Sequence, residues 1–403
     1  MNILLKTFSQ LFISLTMQKI LFFDMLFIAI NEQLKGAFTV KKLELLQTYL
    51  KEQQLDAAFI TTPDNVFYCS GFHSDPHERL LGVMVFQDAE PFLICPQMEV
   101  PDAVAAGWSF ETVGHLDTQN AWDVVAAAVS KRDVTLRKIA IEKAHLTVER
   151  FEELIARYPH AKFERLDDQI NAMRVIKSEQ ELQKMRKAAE LADYAVQVGC
   201  DAIAEGRTEM DVLNEIEAAI KAKGYAMSFD TMVLAGEKSA SPHGTPGDRK
   251  IKRGDMILFD LGVIYEGYCS DITRTVAFGE VNEAQREIYN TVRKANEDAI
   301  AIVKPGVRAM DLDKIARDVI TEAGFGEYFP HRLGHGLGIS VHEFPSINGT
   351  NELVLEEGMV FTIEPGIYKS DVTGVRIEDD VVVTKDGVEV LTKFTKELLV
   401  IEG

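Results

Sequence analysis

A hairpin-like segment places the tightest limit on how this chain folds. Over residues 257–276 the sequence ILFDLGVIYEGYCSDITRTV forms two strand-like apolar runs joined by a short turn. If the strands pair about a centre between residues 265 and 266, Asp260 and Asp271 lie directly opposite each other. Facing carboxylates repel, and a buried unpaired carboxylate is costly, so a divalent cation between them is the simplest solution. Two solvent-facing aspartates at the mouth of a turn are the alternative.

Two further acidic residues emerge from apolar strands, Glu364 in MVFTIEPGIY and Glu378 in GVRIEDDVVVT. Side-chain alternation along a strand places Arg376, Glu378 and Asp380 on one face. Taken singly, a strand glutamate more often faces solvent. Four carboxylates combined with an imidazole, however, suit manganese, cobalt, iron or zinc in a two-ion site, and the absence of thiolates disfavours structural zinc or copper.

The imidazole is sought in HRLGHGLGISVHEFP, residues 331–345. His331 and His335 have helical spacing, but the glycines around them disfavour a helix and predict close approach of the backbone to a ligand. His342 and Glu343 lack the second histidine of an HExxH zinc helix. One of the three histidines is therefore a metal-ligand candidate and the others are candidates for substrate contact. Hydrogen-bonded turn histidines are the alternative.

Length and element order predict two domains. At 403 residues the chain exceeds the size at which one hydrophobic core usually stops growing. Residues 40–168 predict a small α/β domain, with AAFITT, VFYCSGF, LLGVMVF and PFLICP as strands. Residues 169–403 begin with a long helix that Ser178 and Glu181 are expected to start with a capping box. Blocks of strands separated by helices follow, which predicts an α+β domain with an antiparallel sheet.

The first 39 residues differ from the rest of the chain. They are strongly apolar, but Lys6, Lys19 and Asp24 interrupt them before they reach the roughly 18 to 20 apolar residues of a spanning helix. We expect residues 1–39 to be an N-terminal extension, with the functional chain starting at Val40 from a valine codon. A membrane anchor is the alternative hypothesis.

Charge and cysteine usage limit the partners and the compartment. The 63 acidic and 43 basic side chains give a formal charge of −20, which repels nucleic acid and anionic membranes and attracts cations. Solubility alone also explains such a charge. The four cysteines are far apart and form no CxxC pair, which favours reduced thiols in the cytoplasm over a disulfide scaffold. They are Cys69, Cys95, Cys200 and Cys269.

Together these segments resemble the pita-bread metallopeptidases, the family of methionine aminopeptidase, aminopeptidase P and prolidase. The resemblance implies a C-terminal pita-bread domain behind the smaller α/β domain. It also implies two divalent metal ions, with Mn²⁺ expected and Co²⁺ or Zn²⁺ as alternatives. The implied metal ligands are Asp260, Asp271, His335, Glu364 and Glu378.

Within this family, the likeness to bacterial prolidases extends through GFHSDPHERLLGVMVF in the first domain. It implies a cytoplasmic, homodimeric Xaa-Pro dipeptidase. Glu364 would also shuttle a proton, His243 and His342 would contact substrate and assist catalysis, and Arg376 would bind the carboxylate of the dipeptide or support Glu378. An Xaa-Pro aminopeptidase, and a metal-free binding protein or hydrolase of the same fold, are the alternatives.

Overall fold

The computed structural model describes residues 40–402, so the predicted extension of residues 1–39 lies outside the described residues. The chain divides into two compact units, one ending at Ile170 and the other beginning at Asn171. Between residues 40 and 402, no helix combines the length and the apolar character that crossing a bilayer requires.

The first unit is an α/β domain with one six-stranded sheet that contains both parallel and antiparallel strand pairs. Its strands are β1 (Ala57–Ile60), β2 (Gly82–Phe86), β3 (Phe92–Pro96), β4 (Glu111–His115), β5 (Lys138–Ile141) and β6 (Lys162–Arg165). Its helices are α1 (residues 40–52), α2 (Pro63–Ser70), α3 (Val100–Ala105), α4 (Ala121–Ser130), α5 (Val148–Arg157) and α6 (Asp167–Val175), the last of which continues past Ile170. The strand order is β4-β3-β2-β1-β5-β6. Trp122 of α4 packs edge-on against Phe59 of β1, with 5.8 Å between ring centroids.

The predicted strand VFYCSGF is wrong, because most of this segment lies in helix α2. Pro63 occupies the first turn, where its missing N–H costs no helical hydrogen bond, and Asp64 carries a favourable negative charge there. Gly71 ends the helix in the left-handed conformation, with φ of 76°, and its N–H donates to the carbonyl of Phe67. The helix start and stop signals outweigh the β propensity of the residues between them.

The second unit combines four long helices with several small sheets. Its helices are α7 (Glu179–Asp201), α8 (Glu209–Ala222), α9 (Glu283–Ala301) and α10 (Ala309–Glu322). Its first strands are β7 (Ala226–Met227), β8 (Met232–Ala235), β9 (Met256–Leu261), β10 (Val263–Tyr265), β11 (Tyr268–Cys269) and β12 (Ile272–Phe278). The later strands are β13 (Gly334–Gly336), β14 (Glu343–Ile347), β15 (Val360–Ile363), β16 (Gly366–Lys369), β17 (Thr373–Arg376), β18 (Asp379–Val383), β19 (Val388–Val390) and β20 (Val400–Ile401).

Two helix pairs cover the two larger sheets of this unit. The sheets have the orders β20-β12-β9-β8 and β14-β13-β15-β18-β19. Ile216 of α8 and Phe259 of β9 belong to one buried apolar cluster. Leu312 of α10 and Phe361 of β15 belong to the other. Nearly all strand pairs within residues 171–402 are antiparallel, as the sequence predicts. In this range only β12 and β20 run parallel.

The central hairpin forms, but its predicted register is wrong by one residue at the turn. The two turn residues are Glu266 and Gly267, with φ of 47° and 80°, as a tight type I′ hairpin requires. The centre therefore lies between them, and Asp260 pairs with Thr273. Asp271 lies two residues before Thr273 and just ahead of β12, so the two aspartates are diagonal neighbours rather than a facing pair.

The predicted capping box at the start of α7 is confirmed. The Ser178 side chain accepts the Glu181 N–H, and the Glu181 carboxylate accepts the Ser178 N–H at 2.8 Å. We expect Ser178→Ala to weaken the first turn of α7 by about 1 kcal/mol, because one helical N–H loses its acceptor. Amide hydrogen exchange over the first turn of α7 should accelerate. Ser130→Ala, which removes an exposed hydroxyl bonded only within α4, is the matched control, and equal effects of the two changes would contradict the prediction.

Candidate metal centre and active site

The four predicted acidic residues come from four places in the second unit. Asp260 is near the end of β9, and Asp271 lies just before β12. The Asp271 backbone N–H donates to Oδ2 of Asp380 at 2.9 Å, which holds this turn of the chain against β18. Glu364 directly follows β15 and Glu378 lies between β17 and β18, so both carboxylates sit where a strand ends.

Glu378 is held by the neighbouring strand β12. Its N–H donates to the carbonyl of Thr273 at 3.0 Å, and the Thr273 hydroxyl donates to its Oε2 at 2.6 Å. The alternation predicted for this segment is confirmed. Arg376 and Glu378 line one cavity, whereas Asp379 points to a separate buried ion pair with Arg274 at 2.7 Å.

His335 is presented with one ring nitrogen available to a metal. Its Nδ1 lies 3.1 Å from the carbonyl of Gly336, which can only accept, so Nδ1 carries the proton. The lone pair is therefore on Nε2, which lies 3.4 Å from Glu364 and 3.7 Å from Asp271. Burial lowers the pKa of His335 to about 3, and His342 contributes to the shift. The imidazole is thus neutral, as metal ligation requires.

The ligand atoms converge in a buried site. Oxygen or nitrogen atoms of Asp271, His335 and Glu378 lie within 4.8 Å of one another. Burial raises the pKa of Asp271 and Glu378 well above the usual range, and the neighbouring carboxylates raise both further. Burial also raises the pKa of Glu364 to about 7. Such shifts express the cost of several negative charges in one low-dielectric place.

The residues fit a divalent metal. Among residues 40–402, buried Oδ1 of Asp271 has no hydrogen-bond donor, although a buried carboxylate oxygen is costly when unpartnered. It faces an oxygen-rich set with one neutral imidazole, which suits Mn²⁺, Co²⁺ or Zn²⁺. Cations placed here would relieve the repulsion that raises the carboxylate pKa values.

Arg376 is enclosed by protein groups. It is 4% exposed, its Nε donates to the Thr273 hydroxyl at 3.1 Å, and its Nη1 donates to the Tyr368 hydroxyl at 2.7 Å. Its Nη2 forms an ion pair with Asp260. The guanidinium therefore orients Asp260 and Thr273, whose hydroxyl in turn holds Glu378.

His331 ends the same hydrogen-bond chain, and both of its ring nitrogens have protein partners. Its Nδ1 donates to the carbonyl of Arg332 at 2.8 Å, so its Nε2 accepts from the Tyr368 hydroxyl at 2.9 Å. Burial lowers the pKa of His331 to about 4. The structure thus separates His331, a hydrogen-bonded structural histidine, from His335.

His243 and His342 line the same cavity as the ligand cluster. The His342 ring lies 3.9 Å from that of His335, centroid to centroid. Glu343 anchors the loop that carries His342, because its buried carboxylate forms ion pairs with Arg174 and Lys177. The Lys177 Nζ lies 2.7 Å from Oε1 of Glu343. His243 is exposed on the segment between β8 and β9. Both histidines are within reach of a molecule bound in the cavity.

The glycines around His335 have a different purpose from the one predicted. A Cβ at Gly334 would overlap the carbonyl of Thr362, and one at Gly336 would overlap the carbonyl of Phe344. The prediction that these glycines allow close approach to a ligand is therefore wrong for both positions. They let strand β13 pack tightly between β14 and β15, which carries His335 toward Glu364.

The cavity has a volume of about 740 Å³, and it contains residues that the sequence analysis missed. Tyr368 could have been found, because strand alternation from Glu364 along EPGIY reaches it. Arg332 gives no comparable signal apart from its place beside His331. The apolar part of the wall is formed by Phe229, Met232, Pro242 and Val341.

Comparison with known proteins agrees with this geometry. Residues 183–385 match metallopeptidase family M24, and residues 42–176 match the creatinase/prolidase N-terminal domain. A Bacillus subtilis protein named "Putative dipeptidase YkvY" is 50% identical over 363 residues, which are 90% of this chain and 100% of that protein. The prolidase of Pyrococcus horikoshii is 38% identical with a TM-score of 0.82, over 89% of this chain and 100% of its own. The X-Pro aminopeptidase of Thermotoga maritima is 34% identical with a TM-score of 0.78, over 86% and 98%.

The fold and the buried carboxylate–imidazole cluster are those of a metal-dependent peptidase. The chain belongs to metallopeptidase family M24, and a pita-bread catalytic domain follows a smaller α/β domain in the sequence. The fold class and the family predicted from the sequence are both confirmed.

The raised carboxylate pKa values predict how pH affects the metal-free protein. Above pH 6.5, folded Asp271, Glu364 and Glu378 retain protons that their unfolded forms have lost, so stability falls as pH rises. The unfolded forms of buried His331 and His335 are still partly protonated near pH 6.5, so these groups add a smaller slope of opposite sign that ends by about pH 7.5. We expect metal-free protein to unfold at lower urea at pH 8.5 than at pH 6.5, and Mn²⁺ to abolish the difference. Equal stability of the metal-free protein at both pH values would contradict the prediction.

Asp271→Asn should have opposite effects with and without metal. The amide that this change introduces stays neutral among the other buried acids without taking up a proton, so Asp271→Asn should stabilise the metal-free protein at pH 8.5. Losing a ligand should abolish the metal-induced rise in melting temperature. For the wild-type protein, metal at a concentration 100 times its dissociation constant should raise the free energy of unfolding by about 2.7 kcal/mol. Scanning calorimetry and metal titration measure both effects. Asp318→Asn, at an exposed ion pair with Lys314, is the control and should change neither.

Proposed function

We propose that this protein is an Xaa-Pro dipeptidase that uses two divalent metal ions, held by Asp260, Asp271, His335, Glu364 and Glu378. The observation that carries the proposal is the presence of both signs of charge in one cavity. The carboxylate cluster and two guanidinium groups, those of Arg332 and Arg376, border the same 740 Å³ space. A dipeptide carries an ammonium group and a carboxylate close together, so its charges complement this arrangement.

The roles of the chain's own residues follow from their positions. Divalent ions held by the five ligands would make a water molecule nucleophilic near neutral pH and would polarise the scissile carbonyl. His342 and His243 donate hydrogen bonds to the substrate carbonyl oxygen and orient it. Glu364 carries a proton on its carboxylate from the nucleophile to the leaving nitrogen, a role suited to a carboxylate that lines the cavity beside the ligand His335.

A proline after the scissile bond restricts which sites can act on it. The imide nitrogen carries no hydrogen, and the ring fixes the backbone torsion, so a site must bind the ring by shape rather than through an N–H. The apolar wall of the cavity, which includes Phe229 and Met232, provides such a surface. The likeness to a prolidase over 89% of the chain supports the same substrate class.

Metal identity, compartment and assembly belong to the same proposal. Mn²⁺ is proposed because carboxylate oxygens dominate the ligand set. A cytoplasmic location is supported by the four buried cysteines, none of which forms a disulfide bond within residues 40–402. We also propose a homodimer, as the family resemblance implies.

A substrate panel distinguishes the proposed activity from that of an Xaa-Pro aminopeptidase. The similarity to the Thermotoga protein supports this alternative function. With Mn²⁺, purified protein should cleave Leu-Pro with a kcat/KM about 100-fold above that for Leu-Pro-Pro, because the longer peptide lacks a carboxylate at the position the site binds. Preference for Leu-Pro-Pro would favour the aminopeptidase. Cleavage of Met-Ala-Ser alone would exclude both, and full activity without metal would exclude the mechanism.

His342→Ala should lower kcat on Leu-Pro by about 100-fold, because one donor to the developing oxyanion is lost. Metal content should stay at the wild-type level, since Nε2 of His335, not His342, faces the carboxylates. Steady-state kinetics and metal analysis on the same preparation measure the two quantities. His160→Ala, at an exposed position in the first unit, is the control. Loss of metal together with activity would show that His342 acts through the metal centre instead.

A further inference from the structure

Two guanidinium groups border the cavity, and they differ in what they already bind. Arg376 is almost fully buried and has three protein partners, one of them the ligand Asp260. A carboxylate could engage its remaining N–H groups only by entering this enclosed network and competing with Asp260. The sequence-based prediction that Arg376 reads the dipeptide carboxylate is therefore disfavoured, and the supporting role that the sequence analysis left open agrees with its contacts.

Arg332 is the second guanidinium and is differently placed. It is half-buried and lines the cavity. Its side chain has one hydrogen bond, from Nη1 to the hydroxyl of Ser346 at 3.3 Å. Throughout the described residues 40–402, no carboxylate lies within ion-pair distance of it. A half-buried cation without an anionic partner is unusual in a cavity, because burial costs part of its hydration.

The position of Ser346 locates the Arg332 guanidinium relative to the metal centre. Ser346 is the β14 partner of His335 on β13, so the guanidinium ends beside the strand that carries the imidazole ligand. Arg332 and the substrate-facing His342 also line the same cavity. The cation is thus near the reacting centre without being part of the ligand set.

We propose that Arg332 binds the free carboxylate of the dipeptide and thereby selects dipeptides, with Ser346 steadying the guanidinium. This inference rests on the proposed dipeptidase function. Arginine suits the task because its planar fork donates two parallel hydrogen bonds to a carboxylate. Its charge also offsets the repulsion that the acidic cluster exerts on an incoming carboxylate. Arg376 keeps the ligand Asp260 in place, and Arg332 reads the substrate.

The test compares Leu-Pro with Leu-Pro amide, which has the same shape but no carboxylate charge. Wild-type protein should favour Leu-Pro. Arg332→Met should raise KM and lower kcat/KM for Leu-Pro by about 10- to 100-fold, as loss of hydrogen bonds to a charged group predicts. The value for the amide should stay nearly unchanged. Arg308→Met, which removes an exposed arginine paired with Asp311, is the control and should alter neither substrate.

The outcomes separate the inference from the function on which it rests. A wild-type protein that does not favour Leu-Pro over its amide overturns the proposed dipeptidase function. Suppose that the wild type does favour Leu-Pro. If Arg332→Met then keeps this preference, or lowers kcat/KM equally for both substrates, the role of Arg332 is overturned and the dipeptidase function stands. If Arg332→Met does not fold, Arg332→Lys decides. Its point charge should keep the preference but raise KM for Leu-Pro about tenfold, and an unchanged KM overturns the proposal.

Discussion

Repulsion among buried carboxylates is the constraint on which this structure depends. Asp271 and Glu378 are each buried among other acidic groups, and their pKa values lie well above the usual range as a result. Taken alone, such a cluster would open or protonate. The strands that carry it are nonetheless packed into two continuous apolar cores, which hold the oxygens together at a free-energy cost. Divalent metal ions are the partners that turn this cost into binding energy.

Two further buried aspartates, Asp379 and Asp380, lie next to the ligand cluster. Asp379 and Asp380 are neighbours in β18 but have opposite environments. Burial raises the pKa of Asp379, yet Arg274 and Lys396 outweigh it and leave the pKa below the usual range. Within residues 40–402 no cation pairs with Asp380, and burial raises its pKa well above that range. Strand alternation alone separates a structural ion pair from a group that supports Asp271.

Local hydrogen-bond partners also determine the roles of the histidine and arginine side chains at the cavity. Burial keeps His335 neutral, as a ligand, and the Gly336 carbonyl selects the tautomer whose Nε2 faces the carboxylates. Arg376 forms an ion pair with Asp260 and orients it. Within residues 40–402, the Arg332 guanidinium has one hydrogen bond, to the Ser346 hydroxyl. One arginine therefore belongs to the scaffold and the other is available to substrate, a distinction that residue type cannot make.

The sequence by itself determined the residue types of the site, the family and the α+β class, because apolar periodicity, capping signals such as Ser178 and the ordered carboxylates are local patterns. Two wrong predictions were also local ones, because Pro63 and Gly71 mark a helix and the turn centre lies one residue further along, which places Asp260 and Asp271 diagonally. Tertiary structure decided what depends on neighbours distant in the chain, such as the burial that raises the pKa of Asp271. The division of work between the arginines was likewise fixed only by packing, since hydrogen-bond partners more than a hundred residues away decide which charge remains free.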